Sequence, residues 1–163
     1  SGFERKGLEY LVRAVELLGC ENWRLVLAGK GDWSRYLCFA SEQTREKIIA
    51  LDPVDDVETL YAAADLFVLP SIYEPFGNAN LEALASGLPI VTSRNTGAAE
   101  IVVPGKEGMV VEDPTNPKAI AEAIGYLMDP KVREPMGKFA RLLAERFTQK
   151  RNAEAMLRIY RAL

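Results

Sequence analysis

The sequence predicts an α/β protein built on an open parallel sheet with helices on both faces and a helical tail. Short apolar runs without polar alternation, such as residues 24–29 and 65–70, read as strands buried on both faces. They alternate four or five times with segments whose apolar residues recur at spacings of three and four. Beyond Lys131 the strand pattern stops and only the helical spacing remains.

Taken in order, Leu8, Leu11, Val12, Val15 and Leu18 make one face of a helix that Gly19 ends. Residues 24–29 form a strand, with Gly29-Lys30-Gly31 as the loop beyond it. A shorter helix is expected over 33–39 and a strand over 47–51. The next helix opens on a capping-box-like Asp55 and Glu58, with Val57, Leu60, Tyr61 and Ala64 as its buried stripe. The third strand spans 65–70, and an alanine-rich helix over 78–86 is closed by Gly87 with Pro89 following. A strand at 88–92, a short helix at 96–102 and an outer strand at 108–111 come next. Asn116-Pro117 then opens a helix with Ile120, Ala123, Ile124, Leu127 and Met128 on its apolar face. Met136, Phe139, Ala140, Leu143 and Phe147, then Ala153, Met156, Leu157 and Tyr160, mark two helices in series. This organisation is a Rossmann-like domain over 1–130, with helices over 131–163 packing on it. No strand pattern precedes the first helix, so the first strand of the sheet is expected outside the chain. The tail is expected to reach toward a further domain on the N-terminal side.

Composition narrows the chemistry. The 163 residues are 48% hydrophobic and 26% charged, enough for a core without staples. Histidine is absent, which excludes histidine triads, zinc fingers and two-histidine metal sites. Cys20 and Cys38 are too far apart in sequence for a Cys-x-x-Cys motif and suit a reducing, cytoplasmic compartment. A net charge of −3 gives no general pull toward nucleic acid or an anionic membrane. The apolar runs are far short of the ~20 residues that a membrane helix needs, and the start lacks a signal-peptide pattern.

In an open parallel sheet ligands bind beyond the carboxyl ends of the strands. That confines the search to residues 1–7, 29–33, 51–55, 70–78 and 93–97. The densest of these segments contains Tyr73-Glu74-Pro75-Phe76-Gly77-Asn78, followed by Glu82 in the helix. Pro75 biases Glu74 toward an extended backbone, and Gly77 permits close approach at a helix start, whose free N–H groups favour an anion such as phosphate. A glycosidase pair fits poorly. On one continuous helix Glu74 and Glu82 would stand ~12 Å apart, beyond the ~5–9.5 Å such carboxylates use. They suit contact with two parts of one elongated, hydroxyl-bearing ligand instead.

Glu74-x7-Glu82, set in Leu69-Pro70-Ser71 and followed by Glu82-Ala83-x-Ala85-x-Gly87-x-Pro89, closely resembles the signature of the retaining family-four, or group 1, glycosyltransferases. Arg5-Lys6-Gly7, Leu60-Tyr61-x3-Asp65, Gly97-x2-Glu100-Ile101 and Gly105-x2-Gly108 stand in the family's order, so the resemblance covers nearly the whole chain.

The resemblance implies the C-terminal, donor-binding half of a GT-B fold. It further implies transfer of a sugar, with retention, from a nucleoside-diphosphate sugar, UDP being the weighted choice, to a glycan or glycolipid held by an N-terminal half. By the same resemblance Glu74 is the catalytic-site carboxylate at the transferred sugar. Lys6 binds the diphosphate, and Phe76, Gly77 and Asn78 hold sugar hydroxyls and phosphate through the backbone. Glu82 accepts from the ribose hydroxyls, Leu51 begins the base pocket, Lys30 sits in a loop facing the phosphates, and Gly97 permits close approach near the sugar. The family's usual arginine in the first loop has no counterpart in Ser1-Gly2-Phe3-Glu4, and Arg5 is the expected substitute. No cofactor or metal is expected, since no Asp-x-Asp pair occurs and Asp55-Asp56 suits helix capping. Membrane contact is expected only in the full-length protein, at the inner face. The opening and the Glu74–Glu82 block together look most like lipopolysaccharide core glucosyltransferases. Alternatives are a nucleotide-binding module without catalysis, a GT-B epimerase or phosphorylase, and, last, a dinucleotide domain, for which the Gly-x-Gly-x-x-Gly turn is missing.

Overall fold

The computed structural model describes residues 2–162. The chain runs α1 (Gly2–Arg5), α2 (Leu8–Glu16), β1 (Leu25–Ala28), α3 (Ser34–Leu37), α4 (Glu42–Arg45), β2 (Ile48–Leu51), α5 (Val57–Ala63), β3 (Phe67–Leu69) and α6 (Asn78–Ala85). It continues through β4 (Ile90–Ser93), a 3-10 turn (Gly97–Glu100), β5 (Gly108–Val111), α7 (Pro117–Leu127), α8 (Pro130–Ala144) and α9 (Gln149–Ala162). The alternation read from the sequence is therefore present. Side chains cap the helices where short polar residues allow it: Asn116 Oδ1 accepts from the Lys118 and Ala119 amides, and Asp129 Oδ1 accepts from Lys131. Helix α5 is capped by Asp56, which accepts from Thr59, rather than by Asp55 and Glu58. Its expected stripe is not buried, because Val57 is exposed and Tyr61 only partly covered. Helices α1 and α4 were not expected; each is a single short turn with no amphipathic period to betray it.

All strand pairs are parallel, as expected, but they form two ladders instead of one continuous sheet. β1 pairs with β2, and β3, β4 and β5 pair in that order. Strand β4 lies between two partners and is buried along its whole length, from Ile90 to Ser93. One core cluster joins the two ladders, since Leu27 of β1, Val91 of β4 and Val111 of β5 pack with Leu8, Val12, Ile120 and Leu127 of α2 and α7. Each such aliphatic side chain, taken fully from water, contributes about 1.5–3 kcal/mol. A second cluster, with Ala83, Leu84, Ile90, Ala140 and Leu143, packs α6 and α8 on β4.

The α6–α8 contact is close enough to exclude a side chain. A Cβ on Gly137 of α8 would overlap the carbonyl oxygen of Gly87, a backbone atom that cannot swing aside. In an ordinary helix interior, glycine to alanine gains about 1 kcal/mol. Here Gly137→Ala is expected to cost about 1–3 kcal/mol by overpacking, read as a lower urea midpoint; a rise in midpoint would refute the contact.

Candidate functional site

The loop after β3 is held by main chain on two sides. The Ile72 amide donates to the Arg5 carbonyl at 2.8 Å, the Glu74 amide to Asn95 at 3.2 Å, and the Gly97 amide to Glu74 at 3.1 Å. Glycines make these approaches possible. A Cβ on Gly7 would overlap the Pro70 carbonyl oxygen, and one on Gly97 would overlap that of Pro75. The close approach expected at Gly97 is thus made by the loop's own backbone at Pro75 and Phe76. Below the loop lies a layer of buried hydroxyls. Ser93 Oγ donates to the Ser71 carbonyl, and the Thr92 and Thr96 hydroxyls share a hydrogen bond at 2.8 Å.

This clamp orients Glu74. Its side chain is 15% exposed, and its Oε2 lies 3.0 Å from Arg5 Nη1, which also donates to the Tyr73 carbonyl. The two residues expected at the sugar and at the diphosphate are therefore partners of one another here. With Arg5 44% exposed, the pair is worth no more than about 1 kcal/mol, so an anionic ligand can compete for Arg5. Lys6 is exposed beside it.

Gly77, at φ 75°, turns the loop into α6 and leaves that helix without a side-chain cap. The left-handed conformation costs glycine little, and the uncapped start keeps its partial positive charge for a ligand. Phe76 is partly buried and Asn78 exposed at this turn. Glu82 stands one turn further and accepts a 3.0 Å hydrogen bond from the Tyr61 hydroxyl. Burial first, and then the Glu82 charge, push the Tyr61 phenol above its ordinary pKa. The sequence places Tyr61 in a buried stripe and in the Leu60-Tyr61-x3-Asp65 block, neither of which reveals its bond to Glu82.

The remaining expected residues reach the site less directly. Phe3 of α1 stacks on Trp33 at 4.0 Å between ring centres and packs against Gly31, so α1 bridges the loop after β1 to the loop after β3. Lys30 is exposed on the former loop. Leu51 ends β2, and its carbonyl accepts from Gly29 at 3.3 Å. Of the aromatic residues, Trp33 packs against the core, whereas Tyr73 is 62% exposed on the loop. Among the described residues no group of three or more histidine, cysteine, aspartate or glutamate side chains is placed to hold a metal.

A separate hollow of about 760 Å³ lies at the opposite, amino ends of β3 and β4, between α5 and α8. Its arginines are already committed: Arg133 to Asp65 and the Leu127 and Met128 carbonyls, Arg141 to the Ala85 carbonyl. The carboxyl-end loops, with an exchangeable cation and an uncapped helix start, are the better ligand site.

Comparison with known proteins identifies the family and the fold. The family described as "Glycosyl transferases group 1" matches residues 1–130. An uncharacterized glycosyltransferase, MJ1607 of Methanocaldococcus jannaschii, is 41% identical over 130 residues, covering 76% of this chain and 33% of that protein. The O-antigen chain mannosyltransferase B of Escherichia coli is 37% identical over 80% of the chain and 36% of its own length. The chain thus spans about a third of these curated relatives. Among solved structures, WaaG, a glycosyltransferase involved in lipopolysaccharide biosynthesis, superposes with a TM-score of 0.81 at 28% identity, covering 89% of this chain and 40% of that one. The C-terminal domain of the Francisella tularensis group 1 protein LpcC superposes at 0.72 with 26% identity, covering 87% of this chain and 79% of that domain.

The Tyr61–Glu82 contact has a pH signature. A phenol whose folded pKa is raised adds stability that is complete below the unfolded value of about 10 and is lost as pH rises beyond it. Between pH 9 and 11 the urea midpoint of the parent is expected to fall more than that of Tyr61→Phe; parallel declines would show that Tyr61 does not carry the effect.

Proposed function

The chain belongs to the group 1 glycosyl transferases, and we propose that it is the donor-binding half of an enzyme that moves a sugar from a nucleoside-diphosphate sugar to a glycan or glycolipid acceptor. The observation that carries this reading is the juxtaposition of Glu74, clamped over the crevice and paired with Arg5, with Glu82 one turn inside an uncapped helix. An elongated donor spans such a site. Glu82 accepts from the ribose hydroxyls, the start of α6 and the cations Lys6 and Arg5 face the diphosphate, and Glu74 meets the sugar.

Loss of the sugar leaves charge on the departing diphosphate. Fixed donors aimed at that charge lower the barrier without having to reorganise during the reaction. The helix start is one such donor; Lys6, exposed beside the site, is another. Arg5 joins them by exchanging Glu74 for phosphate. We assign the transfer as retaining, the base as uracil, with Leu51 at its pocket, and the donor as free of any protein-held metal. Phe76, Gly77 and Asn78 supply backbone contacts to sugar and phosphate, Lys30 a more distant positive charge, and Gly97 the packing that fixes the loop.

The acceptor belongs to further polypeptide. Helix α9 has no buried residue and carries Met156, Leu157 and Tyr160 exposed, an apolar stripe suited to an N-terminal acceptor domain. Edge strands β1 and β3 likewise suit an added parallel strand, entering beside α1. Among the described residues no helix is long and apolar enough to cross a membrane. Exposed, unpaired Cys20 and Cys38 suit a reducing, cytoplasmic setting.

Calorimetric titration of the chain with UDP, GDP and ADP tests the site. One diphosphate is expected to bind, with Glu82→Ala and Lys6→Ala each weakening it about 10-fold or more, the range set by hydrogen bonds to charged groups. Binding that neither substitution alters would overturn the assignment.

A further inference from the structure

Asn80 sits at the third position of α6, is fully buried, and has no hydrogen-bond partner for either Nδ2 or Oδ1. Ser71 Oγ, buried at the start of the same loop, is also unpaired. A buried side-chain amide with neither end satisfied bears its full desolvation cost, which a leucine of similar volume would avoid. The residue is therefore poorly explained by packing alone.

Its direction gives a better account. Nδ2 lies 2.9 Å from the point where a Cβ on Gly77 would stand, and Glu74 Cγ lies 3.0 Å from the same point. The amide and the stem of Glu74 therefore both border the space that glycine leaves open. The carboxylate at the end of that stem now has Arg5 as its cation. Once a diphosphate takes Arg5, a carboxylate only 15% exposed loses that partner, and a partly buried charge needs a replacement donor. Asn80 Nδ2 is an unused donor bordering the same space as the stem of that residue.

We propose that Asn80 is a positioning residue of the donor site: when the donor's phosphates draw Arg5 away, the Asn80 amide takes over the hydrogen bond to Glu74 and holds that carboxylate toward the sugar. This rests on the donor-site reading above and adds to it an exchange of partners. The exchange couples the two halves of the ligand. The diphosphate releases Glu74, and the sugar then meets a carboxylate restrained by a neutral donor instead of a competing cation. A bare diphosphate gains nothing from the second step, whereas a nucleotide sugar does.

The test is the affinity of UDP-glucose relative to UDP, measured by calorimetry on the chain and its Asn80→Leu, Glu74→Gln and doubly substituted forms, with thermal melting of each. Asn80→Leu keeps the volume and removes the unpaired amide, so its melting temperature is expected to equal or exceed the parent's. Its loss of affinity for UDP-glucose is expected to exceed its loss for UDP by about 10-fold. Glu74→Gln is expected to show a similar selective loss, and the double substitution no further one, the mark of residues acting as a unit. Selective loss with Glu74→Gln but not with Asn80→Leu would overturn the proposal and leave the donor-site reading intact. So would equal losses for both ligands with a lowered melting temperature, which would make Asn80 a packing residue. Absence of UDP binding to the parent, or binding indifferent to Glu74→Gln and to Glu82→Ala, would overturn both readings.

Discussion

Backbone pressed on backbone, at Gly7 against Pro70 and at Gly97 against Pro75, fixes the course of the loop between β3 and α6. Both contacts are possible only where a side chain is missing, and both are reinforced by main-chain hydrogen bonds within two residues. The consequence is mechanical. A loop clamped on each side cannot slide along the crevice, so Glu74 at its centre and Gly77 at its end hold a defined spacing, and α6 must begin where it does. The position of Glu82 follows, since it is carried one helical turn beyond that start. Buried hydroxyls on Thr92, Ser93 and Thr96 satisfy one another and the loop carbonyls from below, which lets an irregular segment sit on a strand that water cannot reach.

On this rigid frame the charges are arranged with unequal strength. The Arg5–Glu74 pair is partly solvated and can be exchanged. The Tyr61–Glu82 bond joins a partly buried phenol to a carboxylate and is directional. A site that must admit a polyanion benefits from this division. In the proposed donor site one carboxylate would be restrained beforehand, and the other would be released by the same ligand that it serves. The helix start at Gly77 adds fixed dipoles that need no counter-ion to be displaced.

Much of this was legible in the sequence, and the limits have physical causes. The strands after residue 24 and the long helices follow from periodicity, and the crevice loops follow from the rule that places ligands at strand carboxyl ends. The Glu74–Glu82 spacing was legible because both residues depend on one local turn. The Arg5–Glu74 pair was not, since it joins residues distant in sequence across two crossovers and leaves no periodic trace. Tyr61 was read as apolar filling because a tyrosine one turn into a helix has the same spacing whether its hydroxyl meets a carboxylate or solvent. Asn80 was concealed within the motif itself. Its burial depends on how α6 lies on β4, which pattern alone cannot specify.

The division of the strands into two ladders follows from the same geometry. Residues 2–7 cross from the carboxyl end of β1, where Phe3 packs on Gly31 and Trp33, to that of β3, where Arg5 and Gly7 meet Ile72 and Pro70. A parallel strand leading directly into α1 would reach its carboxyl end at this same place, with β1 on one side and β3 on the other. The order would then be β2, β1, added strand, β3, β4, β5, in which the two halves wind away from a central strand. In such sheets the crevice opens where the winding reverses. The place is marked by the residues that already converge there, Arg5, Lys6 and Glu74. With such a strand in place, the ligand site and the unpaired strand edges would be two aspects of one topological position: the sheet's reversal would open the cleft, and the turn at α1 would deliver the cations to it.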